Sequence, residues 1–420
     1  MPSFFIPLSG LEADNTALNT IANNLSNMNT VAYKSQDVQF SDLFYQQVGE
    51  TGSGDPEQVG AGTQVGAIST DFSTGTPNPA TGIAQDVALS GDGFFVVNNG
   101  GVQEYTRAGN FSISSDGHLT SQGGQQVKGY PASNGAVNTN APLAAIQIPI
   151  GQVQQPKATT SMSLTANLDA SAAVGTSVQG QVTVYDSLGE SHIATVDFQK
   201  TAANTWSYNI ALPSGDAASS SANTVGSLTF DSNGNLASTT DASGNVTSPA
   251  QNLTGIQFNG LSDGASNMSF SWNLLDSTGK PTIDQVAAGS GVASSNQNGY
   301  SSGQYQSFTV DSNGVVSATY SNNQTQIVGQ LAVASITNEQ GLTRLGDNNY
   351  QTTLASGQAA IGIAGTNGRG TIQDQAVEGS NVDISTQFSD LIVAQRAFEA
   401  NSKAITTFDT VTQETINMIH

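Results

Sequence analysis

The chain has 420 residues, 45 of them glycine and none cysteine, and only 10% carry charge, against roughly 25% in an average soluble protein. Ten Lys and Arg stand against 32 Asp and Glu, a formal net charge of −22. Such a surface repels phosphate backbones and anionic lipid, which excludes nucleic-acid and membrane-surface roles, and the missing cysteines remove disulfides, thiol nucleophiles and Cys-ligated zinc together.

In chain order, Met1 to Ile6 has neither a basic region nor a long apolar run, so no cleaved secretory signal is expected. No later stretch approaches the ~20 apolar residues of a membrane span. Residues 4–31 carry a helical pattern, with Phe4, Leu11, Leu18 and Leu25 recurring every seventh residue. Ile21 and Met28 each follow a leucine of this row by three residues. The spacing makes one narrow apolar seam, and the other face is Asn, Thr and Asp.

From there to residue 380 the pattern is β. Runs such as Phe94-Phe95-Val96-Val97, Ile193 to Phe198 and Leu331 to Ile336 are separated by turn signals. One unit repeats loosely, at Phe111–Leu119, Leu228–Leu236 and Phe308–Val316, each with Asp116, Asp231 or Asp311 ahead of Gly117, Gly234 or Gly314. These read as hairpins in which Asp caps the turn and Gly takes the positive φ. A calcium-loop reading lacks the bidentate Glu that such a loop needs. Stretches 49–82 and 153–180, and Pro281 to Gly299, are poor in long apolar residues and read as linkers or crossings. The last ~40 residues mirror the first: Ile384, Leu391, Phe398, Ile405 and Ile419 share a seven-residue lattice, with Phe388 and Ile416 one helical step away. Stripes this thin are marginal alone and need partners.

The fold expected is mainly β with terminal α-helices in a multi-domain chain, the two helices paired and enclosing two nested β-domains. Residues 1–33 and 380–420 would form the helical domain and 34–69 and 361–379 linkers. Residues 70–155 and 300–360 would form an inner β-domain, and 165–285 a second one inserted into it.

Chemistry is thin. His118, His192 and His420 have no triad-like or metal-ligand neighbours in sequence, and Asp92, Asp116 and Asp186 lie near glycines, which assigns them to turns. Gly365-Thr-Asn-Gly368-Arg-Gly370 lacks the Lys-Ser/Thr of a phosphate loop. No catalytic, cofactor-binding or metal-ligating set is expected, and no enzyme activity.

Several motifs resemble one family. Ser9-Gly10-Leu11, Ile21-Ala22-Asn23-Asn24-Leu25-Ser26-Asn27 and Asn29-Thr30-Val31-Ala32-Tyr33-Lys34 are similar to the opening signature of the flagellar rod, hook and hook-associated axial proteins. Leu89-Ser90-Gly91-Asp92-Gly93-Phe94-Phe95 and Tyr105-Thr106-Arg107-Ala108-Gly109-Asn110-Phe111 resemble its next two motifs. Glu378-Gly379-Ser380-Asn381-Val382-Asp383 and Gln395 to Lys403 resemble its close. Rod proteins lack a large middle insertion, whereas residues 156–299 here separate two halves of a β-domain, and Val184-Tyr185-Asp186-Ser187-Leu188-Gly189 resembles the inserted domain of hook proteins. Family members usually carry Gly where this chain has Ala32, at the end of the first helix.

The resemblance implies a structural subunit that polymerises with itself into the flagellar hook, a flexible hollow tube acting as a universal joint between rod and filament. It implies rod, hook-cap and hook–filament junction proteins as partners, and passage through the type III export apparatus to the outside of the cell. Self-assembly would rest on the seam residues Leu11, Leu18, Ile21, Leu25, Met28, Phe388, Leu391, Phe398, Ile405 and Ile416. A distal-rod or hook-associated subunit shares the terminal signatures, and a Ser/Thr-rich surface adhesin would share the composition without the helical ends.

Overall fold

Each end of the chain is helical and everything between is strand and turn. The computed structural model describes residues 4–418, except 51, 79–80, 134 and 218–220. Among the described residues there are two α-helices, α1 over Phe5–Ser26 and α2 over Ile384–Met418. Ile419 and His420 lie outside the described residues. The chain forms two compact units: Met1–Ile150 with Ser307–Thr319 and Thr325–His420, and Gly151–Gln306 with Tyr320–Gln324.

In the first unit α1 stops well before residue 31. The Asn27 amide still bonds the Asn23 and Asn24 carbonyls, and Thr30 and Tyr33 then close short turns on Asn27 and Thr30. Ala32 adopts the left-handed φ of 57°, buried, with its amide on the Glu378 carbonyl at 2.8 Å. A side chain there costs about 1–2 kcal/mol relative to glycine, and the buried hydrogen bond offsets it. Helix α2 is started by Asp383, whose carboxylate accepts the Thr386 amide at 2.9 Å. That bond holds the Asp383 carboxyl below its usual range.

The first unit's main sheet centres on Phe94–Asn99, which pairs with Val102–Thr106, Gln126–Ser133 and Val333–Ser335. Both faces of that strand are buried, which explains its unbroken apolar run. Phe94 and Val96 pack with Tyr105, Ala334 and Tyr350, and Phe95 meets Phe111 edge-on at 5.3 Å between ring centroids.

The second unit pairs two sheets over one core. Ser177–Tyr185, Ser191–Ala202, Thr205–Ala211, Val225–Phe230 and Leu236–Thr240 run as an antiparallel meander. Ser161–Asn167 joins Met268–Asn273 and Ile283–Asp284 in parallel and Gly291–Gln297 antiparallel. Trp206, Trp272, Phe198, Leu164 and Ile256 fill the space between, and Trp206 donates to Gln285 at 3.1 Å. The unit begins and ends on adjacent strands: Val153–Gln154 pairs with Gly303–Gln304, and Lys157 and Tyr300 exchange backbone bonds of 3.0 and 2.9 Å.

The stretches read as linkers or crossings are built into the sheets instead. Residues 34–69 are no linker: Gln36–Asp42 pairs with Thr63–Thr70, and Tyr45–Glu50 with Pro56–Gly60. Val38 and Phe40 alternate with polar residues there, a strand signal that the Gly- and Gln-rich surroundings obscure. Residues 361–379 are likewise built in, since Thr371–Asp374 pairs with Val87–Ser90 and Ile372, Ala376 and Glu378 are buried. The supposed crossings 153–180 and 281–299 hold the strands Ser161–Asn167, Ile283–Asp284 and Gly291–Gln297, and Met162, Leu164 and Ala166 of the first alternate into the core.

The repeated turns follow their sequence chemistry. Asp231 and Asp311 each accept two backbone amides, from residues two and four further on, at 2.8–2.9 Å. Gly234 and Gly314 take φ of 84° and 82°.

Candidate assembly surface

Helices α1 and α2 run antiparallel against each other, since residue 24 meets 387 and residue 14 meets 401. The face α1 buries is made of Gly10, Ala13, Ala17, Thr20 and Asn24, alternately three and four residues apart. Small side chains let the backbones approach closely, and a Cβ on Gly10 would lie 2.7 Å from Asn401 Nδ2. Two amide bonds set the register. Asn24 donates to Gln387 Oε1 at 3.0 Å, and Asn401 to Asp14 Oδ2 at 2.8 Å. Polar groups on such a seam select one alignment over its neighbours.

The apolar lattice read from the sequence sits beside this stripe rather than in it. Leu11, Leu18, Ile21 and Leu25 are half-buried, as are Leu391, Phe398 and Ile405. Phe388 and Ile416 are exposed. Met28 lies beyond the end of α1, also exposed. Ile384, Ile392 and Val393 extend the exposed apolar surface of α2, Val393 to 68%. A cleft of about 320 Å³ opens between α1, α2 and the strand Gln36–Asp42, lined by Ala17, Ile21, Val38, Phe40, Val393 and Ala397 among others. The neighbouring hairpin presents Phe44, 90% exposed, with Tyr45, Val48 and Val59. A two-stranded hairpin is marginal in water by itself, and this one carries its apolar side chains outward.

Beneath the helices lies an ion cluster that sequence reading did not assemble. The Glu378 carboxylate accepts Lys34 Nζ at 2.6 Å, Arg107 Nε at 3.1 Å and the Gly75 amide at 3.0 Å. Lys34 also donates to the Ser73 carbonyl at 2.6 Å, and Arg107 to the Gly91 and Gly93 carbonyls at 2.8 and 2.7 Å. All three charged groups are buried. Burial pushes the Lys34 ammonium below its ordinary range, against the raising effect of Glu378. Asn381 completes the tie, accepting the Ser35 amide at 2.8 Å and donating to the Asp71 carbonyl at 2.8 Å. Lys34, Arg107, Glu378 and Asn381 each belong to a motif singled out above, and the motifs are therefore brought to one place: where the chain leaves α1, crosses the sheet and enters α2.

Of the histidines, His118 faces Asp116 at 3.6 Å near the surface. His192 is buried among carboxylates of the second unit, contrary to the expectation that it has no such neighbours. No helix among the described residues is long and apolar enough to cross a membrane.

Family models of the flagellar axial apparatus match in four stretches. They are the flagella basal body rod protein over 7–34, the flagellar hook protein FlgE/F/G D1 domain over 88–184, the flagellar basal body protein FlaE D2 domain over 156–300, and the flagellar basal body rod FlgEFG protein C-terminal model over 373–418. The flagellar hook protein FlgE of Treponema pallidum is 33% identical, with 100% of this chain and 99% of that protein aligned. That of Salmonella typhimurium is 34% identical over 99% of this chain and 100% of its own length. The crystal structure of Helicobacter pylori flagellar hook protein FlgE2 shares the fold with a TM-score of 0.53, at 15% identity, over 72% of this chain and all of that one. Similarity of this extent, end to end and in the order of the motifs, means that the chain belongs to the flagellar hook protein family and is a structural subunit of the bacterial flagellum.

Proposed function

We propose that this hook subunit polymerises through the apolar faces of α1 and α2 that their own pairing leaves uncovered. The supporting observation is the division of labour on α1: Gly10, Ala13, Ala17 and Thr20 are consumed within the chain, while Leu11, Leu18, Ile21 and Leu25 stay half-open on the adjoining edge. Leu391, Phe398 and Ile405, and the outward Phe388 and Ile416, do the same on α2. Neighbouring copies would cover both edges by dry packing and build a hollow tube, with the hairpin bearing Phe44 as a further arm. The β-units, poor in charge, would meet across wet polar contacts that exchange at small cost when neighbours slide. That combination resists twist and permits bending, as a universal joint requires.

On this reading the subunit performs no catalysis. Its partners are copies of itself, the rod, hook-cap and hook–filament junction proteins, and the type III apparatus that exports it. With their apolar edges uncovered the paired helices are marginal in the monomer, and assembly completes their burial. The test is Leu18→Asp and, separately, Phe398→Asp. Burying an unpaired carboxylate costs several kcal/mol per contact, so both variants should remain folded β-proteins and form no tubes by electron microscopy. Normal tubes from either would sink the proposal.

A further inference from the structure

We propose that the second unit binds a divalent transition-metal ion, of which Zn²⁺ is the type, on His192, Asp186 and Asp263. In the strand Ser191–Ala202 alternate residues face the core, and the inward set Ala194, Val196 and Phe198 begins with His192, 5% exposed. An imidazole there must find polar partners, and three loops supply them. Asp216 Oδ2 lies 3.0 Å from Nδ1. Asp186 Oδ2 lies 3.3 Å and Asp263 Oδ2 4.0 Å from Nε2.

The two ring nitrogens have different duties. With Nδ1–H donating to Asp216, the neutral ring directs its Nε2 lone pair at the two other carboxylates. A carboxylate behind the imidazole fixes tautomer and orientation and raises ligand basicity, the usual arrangement behind a metal-bound histidine. A single Nε2 proton could serve one of the two carboxylates and leave the other facing a like charge. A cation between them satisfies both.

The site is held rather than incidental. Asp186 Oδ1 is fixed by the Leu188 and Glu190 amides at 2.8 and 2.9 Å, so Oδ2 points steadily at the ring. Asp263 Oδ1 accepts the Ala265 amide at 3.0 Å. The loops are bound to each other: the Ser262 amide to the Asp216 carbonyl at 2.9 Å, and the Ser266 amide to Ser187 Oγ at 3.0 Å. One ligand atom from each of His192, Asp186 and Asp263 falls within 4.8 Å of the other two.

Zinc bonds of about 2.0–2.2 Å put neighbouring ligand atoms of a tetrahedron roughly 3.3–3.6 Å apart. The His192–Asp186 spacing already fits. Asp263 must close by about half an ångström, which its loop position and 25% exposed side chain permit. One nitrogen and two carboxylate oxygens suit a borderline cation, whereas Ca²⁺ asks for six or more oxygens. Bound there, the ion would tie strand, turn and loop together.

The test uses the full chain, stripped with chelator and titrated with ZnCl₂ by calorimetry. One Zn²⁺ per chain should bind, resist millimolar Ca²⁺ and raise the melting temperature of the second unit. His192→Asn and Asp263→Asn should abolish binding. Asp263 sits on a surface loop, so that variant keeps the test valid if His192→Asn misfolds. Asp216→Asn should weaken binding by roughly 10–100-fold, and His118→Ala should leave it unchanged. No saturable Zn²⁺ binding, full displacement by Ca²⁺, or equal binding by a folded His192→Asn or Asp263→Asn would overturn the site.

Discussion

At the scale of single residues the first unit depends on Glu378. Its carboxylate bonds two buried cations, Lys34 and Arg107. Glu378→Gln keeps the shape and removes the charge, leaving those cations without their counterion at a cost of about 3–5 kcal/mol. Urea unfolding of the first unit should shift accordingly, with the second unit's transition unmoved. Lys34→Met should cost less, because the remaining Arg107–Glu378 pair stays neutral. A Glu378→Gln variant as stable as the parent would mean that the cluster is not held by charge. Pairing of these residues was not legible in the sequence. Lys34 and Glu378 stand 344 positions apart, and Arg107 and Glu378 271. Local pattern reading offers no way to match groups so distant.

At the scale of elements, the seven-residue lattice exposed both helices, because leucine and phenylalanine carry the periodic signal. It did not expose the stripe on which the helices meet. Gly10, Ala13, Ala17, Thr20 and Asn24 repeat with the same period, one residue ahead of Leu11, Leu18 and Leu25, but small and polar residues are silent on a hydrophobic scale. The Asp231 and Asp311 turns were legible in chemical detail, since Asp and Gly act locally through the backbone, whereas at the third turn Ser114 Oγ, not Asp116, accepts the His118 amide at 3.0 Å. The strand over Ile193 to Phe198 was legible too; the inward turn of His192 and the loops that deliver Asp216 and Asp263 to it were not. The stripe makes a prediction whose sign separates packing from propensity. Leucine favours a helix over glycine by roughly 0.8–1 kcal/mol, so Gly10→Leu should help an isolated α1. In the chain its side chain would meet Asn401, already 2.7 Å from the Cβ position, and break the Asn401–Asp14 bond. Overpacking of this kind costs about 1–3 kcal/mol. Tube yield should therefore fall while the β-units unfold as before. Undiminished assembly would show that the helices do not need this close approach.

At the scale of the whole molecule, each unit has a core of its own, and the second draws its core entirely from residues between 162 and 292. Because Lys157 and Tyr300 face each other across two backbone bonds, everything between them is topologically a loop on a hairpin. Replacing 158–299 with a two-residue Asn-Gly turn should close that hairpin and leave the first unit folded, with its helices still able to pair; loss of its cooperative transition would contradict this. The same geometry makes the position a socket. A longer, shorter or different insert between Lys157 and Tyr300 would leave the pairing of α1 with α2 and the Lys34–Glu378–Arg107 cluster in place, since neither draws on residues 158–299.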